Sequence, residues 1–362
     1  MKRTRGGYNL SEIKPFYQVE ASKNSPRIVK NLNSPINFNL IVTRVCNADC
    51  IHCCANANKD DAYLSLENLK KVLKIAEDNS VFYFVVTGGE PLMYKHIWDL
   101  LDLTKDKFGI LMNTNGTLIT KEVAEKLANY NLASVHISLD GPNQEIYRKQ
   151  RGDTTDFSTV LNGITNLVDA GVKVTTKMVL TKINVDYIED VIKLSCKLGV
   201  SKLSLAWFKP VGRGFNNEDS LMMPSEKVKE VSKQLYNLKE KYSSKINISF
   251  DDSQCFPFLT NEMEEIKYRK LCGDYFFRVD YTGDVFPCPF IETKIGNIFE
   301  DPIKKIWNNP LVQSQRDASF GEKLNGVCKT CNNRALCSGG CRSRALAINK
   351  DMYSKDPLCW VD

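Results

Sequence analysis

Asn37-Phe-Asn-Leu-Ile-Val-Thr43 runs through Arg44 and Val45 into Cys46-Asn-Ala-Asp-Cys50-Ile-His-Cys53. The first seven residues are the apolar, β-branched run of a strand, and the cysteines follow at C-x3-C-x2-C spacing. Three thiolates within eight residues can close around one face of a cubane iron–sulfur cluster. A [4Fe–4S] cube needs four ligands, so a three-cysteine loop leaves one iron open to a small molecule. Zinc is the competing reading. It wants a fourth ligand, and His52 or Cys54 would have to supply it from a cramped position on the same loop. Cys54 reads more simply as a packed thiol, and His52 as a neighbour that shields the cluster.

Outward from this loop, strand-like runs recur at 82–87, 108–114, 133–139, 173–181 and 201–208. Segments of helical period follow the six runs, over 66–78, 95–107, 120–131, 156–171, 185–199 and 224–243. Asp156 and Gly171 are natural start and stop residues for the fourth helix, and Gly199 ends the fifth. Strands that alternate with helices imply parallel pairing through right-handed crossovers. Periodicity alone leaves open whether the sheet lies open or curls into a partial barrel. The alternation is expected to stop near residue 245, where Cys, Gly, Pro and aromatic residues become denser. Tyr275–Cys288 reads as a hairpin turning at Thr282-Gly283-Asp284. The expected organisation is an N-terminal extension over 1–36, a core over 37–244 and a cysteine-rich unit over 245–362.

A chain of 362 residues suits a large catalytic domain with a smaller companion, and 43% hydrophobic residues can build a substantial core. The net charge of +6, from 49 basic and 43 acidic residues, makes no case for nucleic acid. Thirteen cysteines in a chain of this length are unusual, and the odd total argues against complete disulfide pairing. Met1-Lys-Arg-Thr-Arg5 has no apolar run behind it, and no stretch reaches the roughly 20 apolar residues of a membrane span. The expectation is a cytoplasmic chain, bound to no membrane, that uses reduced cysteines as metal ligands.

Further motifs stand in order after the strands. They are Thr87-Gly88-Gly89-Glu90-Pro91, Asn113-Thr-Asn115-Gly-Thr117, Ser138-Leu-Asp140-Gly-Pro142, Arg151-Gly152, Asn184 and Pro210-Val-Gly-Arg213. With the cysteine loop they cover most of residues 37–214 and resemble the radical S-adenosylmethionine (SAM) superfamily. The resemblance implies an α/β fold, a partial (β/α)6 TIM-type barrel. It implies that Cys46, Cys50 and Cys53 hold the catalytic cluster, and that Thr87, Gly88, Gly89 and Glu90 serve the methionine amine of SAM. Asn115, Ser138, Arg151 and Arg213 become expected SAM contacts by motif.

The C-terminal cysteines follow a second pattern: Cys272, then Gly283-x4-Cys288, then Cys328-x2-Cys331-x5-Cys337-x3-Cys341, and Cys359. It resembles the SPASM extension of radical SAM enzymes, which carries two auxiliary [4Fe–4S] clusters, for three in all. The resemblance assigns Cys272, Cys288 and Cys341 to the first auxiliary cluster, with Cys255 as the available fourth ligand. It assigns Cys328, Cys331, Cys337 and Cys359 to the second. The alternative is a pair of zinc ribbons, which share the C-x2-C step. Cys196, on a helical segment, reads as core.

The family's chemistry is reductive cleavage of SAM to a 5′-deoxyadenosyl radical, which takes a hydrogen atom from an unactivated carbon. The expected partners are a flavodoxin- or ferredoxin-type electron donor and a peptide or small-molecule substrate. Sulfatase maturases usually carry Asp directly after the Cys of the G-x4-C step; Pro289 stands there in this chain, which weakens that reading. Gly339-Gly-Cys341-Arg-Ser-Arg-Ala345 and Asp356-Pro-Leu-Cys359 resemble both peptide maturases and enzymes of heme-type pathways. A ribosomally made peptide is the leading expectation and a tetrapyrrole or other cofactor precursor the alternative. Residues 1–36 are too short for a winged peptide-recognition domain, so a separate recognition protein would be needed, or none is used. A non-catalytic electron carrier would have no need of the Gly-Gly-Glu-Pro motif.

Overall fold

The computed structural model describes residues 32–361, apart from 59, 131, 252–271, 274, 320 and 322. Most of the expected N-terminal extension, and Cys255, therefore lie outside the described residues.

Parallel strands follow one another in chain order: β1 (Asn37–Ile41), β2 (Tyr83–Thr87), β3 (Gly109–Thr114), β4 (Ser134–Ser138), β5 (Val174–Leu180), β6 (Lys202–Trp207) and β7 (Asn247–Phe250). Between them run α1 (Leu66–Asp78), α2 (Ile97–Thr104), α3 (Lys121–Ala128), α4 (Gln144–Arg151), α5 (Phe157–Asp169), α6 (Ile188–Lys197), α7 (Glu218–Leu221) and α8 (Ser225–Tyr242). The remaining chain forms β8 (Phe276–Val279), β9 (Asp284–Phe286) and β10 (Gly296–Asn297). It ends in α9 (Ile303–Trp307), α10 (Pro310–Ser319), α11 (Arg334–Cys337) and α12 (Arg342–Asn349).

Period-two burial explains the sheet. Phe38, Leu40, Val86, Val135 and Ile137 are fully buried, facing the helices, while Asn39, Thr87, Asn113 and Ser138 on the other face are half-buried. The helices answer with a period of 3.6. On α1 the buried set is Leu69, Val72, Leu73 and Ala76, and the Ser65 side chain caps the first turn by accepting from Asn68 N–H. Both sets join one hydrophobic core. Each fully buried Leu, Ile or Phe in it contributes about 2 kcal/mol. α5 begins with Asp156 accepting from Ser158 N–H, and Gly171, with φ of 74°, follows its end. The six β–α units lie where the hydrophobic pattern places them. The fold is the α/β partial barrel, with an antiparallel β region in the C-terminal part.

The alternation does not stop near residue 245. β7 pairs in parallel with β6 beyond that point. The expected hairpin forms as β8 and β9, yet β8 also pairs in parallel with β1. Among the described residues the result is one sheet in the order β10-β9-β8-β1-β2-β3-β4-β5-β6-β7. Both short strands add main-chain hydrogen bonds to edges that β1 and β6 would otherwise expose. α4 is also unforeseen. Its sequence, QEIYRKQR, buries only Ile146, Tyr147 and Gln150, too few apolar positions to show a period. Among the described residues no helix is long and apolar enough to cross a membrane.

Candidate functional site

The motifs meet at the carboxyl ends of the parallel strands, where such barrels place their chemistry. The loop after β1 folds back on itself. Cys46 N–H donates to Asn58 O at 2.9 Å, Asn58 N–H to Arg44 O at 3.0 Å, and Cys53 N–H to Cys50 O at 3.3 Å. Cys46 and Cys50 are 8% and 6% exposed, and with Ala48 and Ala57 they form a small cluster against which Cys53 packs.

Each thiol of the triad receives one N–H. Ala48 N–H donates to Cys46 Sγ at 3.4 Å, Ala57 N–H to Cys53 Sγ at 3.5 Å, and Arg151 Nη1 to Cys50 Sγ at 3.5 Å. That donor set suits metal-bound thiolates, which concentrate negative charge on sulfur. Burial, opposed by the Ala48 N–H and helped by the nearby Glu90, Cys50 and Cys53, raises the bare Cys46 thiol to about 11. Cys50 is raised by burial too, with Arg151 opposing. A cationic cluster would supply the counter-charge that keeps these thiols ionised.

The glycine motif lies against this loop. Gly89 N–H donates to Thr43 O and Glu90 N–H to Val45 O, both at 2.8 Å. A Cβ on Gly88 would stand 2.4 Å from Thr43 O, and one on Gly89 2.1 Å from Val45 O. The close approach that glycine permits is thus to the backbone entering the cysteine loop. Glu90 is fully buried, and its carboxylate accepts from Thr114 Oγ1 at 2.7 Å, Asn115 N–H at 2.7 Å and Leu92 N–H at 3.1 Å. It ties the ends of β2 and β3 together, and burial raises its pKa. Thr87 closes β2, half-buried, its carbonyl accepting from Val42 N–H.

Two other expected SAM contacts also bond within the cysteine loop. Asn115 donates to Asn47 Oδ1 and accepts from both the N–H and the hydroxyl of Thr117. Arg213 donates to the carbonyls of Cys50 and Ala57. Gly212 beside it has no room for a side chain, since a Cβ would meet the carbonyls of Cys53 and Cys54 at 2.7 Å. Ser138 ends β4, half-buried, in register with Lys177 and, through it, Ser204. Lys177 pairs with Asp251 at 3.2 Å, and Ser204 donates to the same carboxylate at 3.0 Å. This strip gives the inner wall a polar lining.

α4 carries residues that the spacing did not single out. The Gln150 carbonyl takes Ile51 N–H at 3.1 Å and lies 3.2 Å from His52 Nδ1. The Gln150 side chain, fully buried, bonds Val179 O and Thr181 Oγ1. Asp140, also fully buried, accepts from Val179 N–H at 2.7 Å and from Arg151 Nε at 2.5 Å. His52 is 8% exposed and lies 3.6 Å from the same carboxylate; burial lowers its pKa to about 4, with Asp140 opposing. It packs beneath the cysteine loop as a neutral ring. Asp140 was visible as part of Ser-Leu-Asp-Gly, but nothing in its spacing names it as the anchor of Arg151.

The C-terminal cysteines sort into two neighbourhoods. After burial, the groups that most oppose Cys288 ionisation include Cys272 and Cys341. Cys337, pushed up to about 12 by burial, neighbours Cys359 and Cys328, and Cys328 neighbours Cys331. Cys255 lies outside the described residues. The Lys209 cation, just after β6, opposes the rise of both the Cys54 and the Cys288 thiols. Cys54 is itself raised to about 11, chiefly by burial. Cys196 on α6 packs against the main core.

Two family models match this chain. The radical SAM superfamily model matches residues 40–195, and an iron–sulfur cluster-binding domain, SPASM, matches 272–332. The mycofactocin maturase MftC of Mycolicibacterium smegmatis is 30% identical over 348 residues, 92% of this chain and 86% of that protein. The AdoMet-dependent heme synthase of Nitratidesulfovibrio vulgaris is 27% identical over 339 residues, 88% of this chain and 90% of that protein. The crystal structure of Streptococcus suis SuiB bound to precursor peptide SuiA superposes with a TM-score of 0.73 at 20% identity, covering 91% of this chain and 77% of SuiB. The cysteine loop, the strand-end motifs and these likenesses agree: the chain belongs to the radical SAM superfamily and carries a C-terminal SPASM iron–sulfur domain.

Proposed function

We propose that this radical SAM enzyme oxidatively modifies a ribosomally made peptide, forming a cross-link, and that Cys46, Cys50 and Cys53 hold the cluster that binds SAM. The observation that carries the site is the triad itself: three cysteines of one small buried cluster at the barrel mouth, each sulfur with one N–H donor. Bound there, the cluster and SAM supply the radical that removes a hydrogen atom from the substrate. The chain's own residues hold the loop and exclude water. Arg213 fixes its Cys50 and Ala57 carbonyls, the Gln150 carbonyl takes its Ile51 N–H, Gly88 and Gly89 seat it against β2, and Glu90 braces β2 against β3. Cys272, Cys288 and Cys341, with Cys255, would hold one auxiliary cluster, and Cys328, Cys331, Cys337 and Cys359 a second. Both would relay an electron away from the substrate, while a flavodoxin- or ferredoxin-type donor would supply the electron that reduces the cluster held by the triad.

The peptide reading is supported by the maturases among the relatives, MftC and the subtilosin biosynthesis protein AlbA of Bacillus subtilis. The heme synthases support a tetrapyrrole as the second reading. Protein reconstituted with iron and sulfide, then given SAM and dithionite, should release 5′-deoxyadenosine, and Cys50→Ala should abolish it. A loaded parent enzyme that releases none would overturn the assignment. Three cubes would give about twelve irons per chain. Co-expression with short peptides encoded beside the gene should yield a product lighter by two hydrogens per cross-link. An untouched peptide together with a processed porphyrinoid would reverse the ranking of substrates.

A further inference from the structure

The triad is not symmetrical. Cys46 and Cys53 each receive a neutral backbone N–H, whereas Cys50 receives a guanidinium. Arg151 is placed there by more than one element. It is the last residue of α4, and Gly152 after it takes φ of 82° against Asp49, where a Cβ would stand 3.1 Å from the Asp49 carbonyl. Its Nε is held by Asp140, and the two side chains are 11% and 0% exposed. Asp140 is fixed in turn: its other oxygen takes Val179 N–H, and Asn184 Nδ2 bonds both Asp140 O and Val179 O at 2.9 Å. Arg151 therefore sits in a rigid, largely dry frame with its terminal nitrogen on the Cys50 sulfur.

We infer that Arg151 acts as a tuning residue, its cation on Cys50 Sγ raising the reduction potential of the cluster held by the triad. The inference rests on the triad being the ligand set proposed above. Reduction adds negative charge to a buried centre, and iron–sulfur potentials follow net charge, hydrogen bonds to sulfur and solvent exposure. A charge-assisted bond is roughly twice as strong as a neutral one, and low local dielectric enlarges the difference. The reduced state gains more from Arg151 than the oxidised state does. Because the contact is to a ligand sulfur, the effect is present before SAM binds. A residue serving only SAM would leave the SAM-free potential unchanged.

The test is a redox titration of the full-length, reconstituted protein without SAM, followed by EPR of the reduced cluster. The relevant signal is the one that changes shape when SAM is added afterwards. Arg151→Gln should load the same iron and move that signal's midpoint to more negative potential, by a tenfold change in the reduction equilibrium or more, about 59 mV for one electron. Arg151→Lys keeps a charge but cannot span Asp140 and Cys50 as a planar fork does, so its midpoint should fall between. An Arg151→Gln midpoint equal to the parent's, with weakened SAM binding alone, overturns the inference. If Arg151→Gln fails to load, an Arg151→Lys midpoint equal to the parent's does so. Cys50→Ala separates the two levels: a SAM-responsive signal that survives it sinks the triad assignment instead.

Discussion

Gly89 has no room for a methyl group, because its Cβ would lie 2.1 Å from a backbone carbonyl that cannot swing aside. Gly89→Ala should therefore destabilise the metal-free protein by about 3 kcal/mol, the upper end of overpacking costs, read from the urea midpoint. An unchanged midpoint would show that the cysteine loop yields instead. This residue shows how far the site was legible. Gly-Gly-Glu-Pro and C-x3-C-x2-C marked the right places along the chain, since motif spacing survives translation into strand ends. What each atom does there was not legible. Glu90 was read for its charge toward an ammonium; that Thr114, Asn115 and Leu92 bond its carboxylate was not visible in the motif. Arg213 was read by motif as a ligand contact; that it also clamps the carbonyls of Cys50 and Ala57 was not. A polar letter in a motif carries no record of which long-range partner satisfies it.

Among the elements, α12 shows how the C-terminal cysteines are attached to the barrel. Its Arg344 is fully buried, pairs with Asp356 through Nε at 2.8 Å and Nη2 at 3.0 Å, and donates from Nη1 to Phe208 O just past β6. Asp356 also accepts from Cys341 N–H and Leu358 N–H. One pair thus joins the barrel rim to the segment between Cys341 and Cys359. Arg344→Met should cost about 3–5 kcal/mol, because it strands a buried carboxylate, and adding Asp356→Asn should recover part of the loss. Chemical denaturation of the metal-free variants checks this; a single variant as stable as the parent would mean that the segment relaxes into solvent. Long amphipathic helices such as α1 and α5 could be read directly, because each exposes a full apolar stripe. α4, β7 and the pairing of β8 could not. Their segments are short, and what stabilises them is a neighbour far away in sequence.

For the whole molecule, the expected boundary at residue 244 falls inside a continuous sheet. β7 lies beyond it on one side of the order and β8 to β10 on the other. A fragment ending at residue 244 would leave β1 and β6 with unpaired edges and would lack the segment that packs Trp307 beneath Phe277. The expected outcome is aggregation on size-exclusion chromatography, where the full chain runs as a discrete species; a monodisperse fragment would show that the core stands alone. The six β–α units and the position of the first cysteine loop could be read from the chain alone. These are encoded by local period and spacing, which need no partner to be read. Long-range contacts instead set the continuation of the sheet past the barrel at both edges, the backbone packed against the glycines, and the contact of Arg151 with Cys50. Each of those depends on groups brought together from distant parts of the chain, where burial and hydrogen bonding, not sequence neighbourhood, choose the partner.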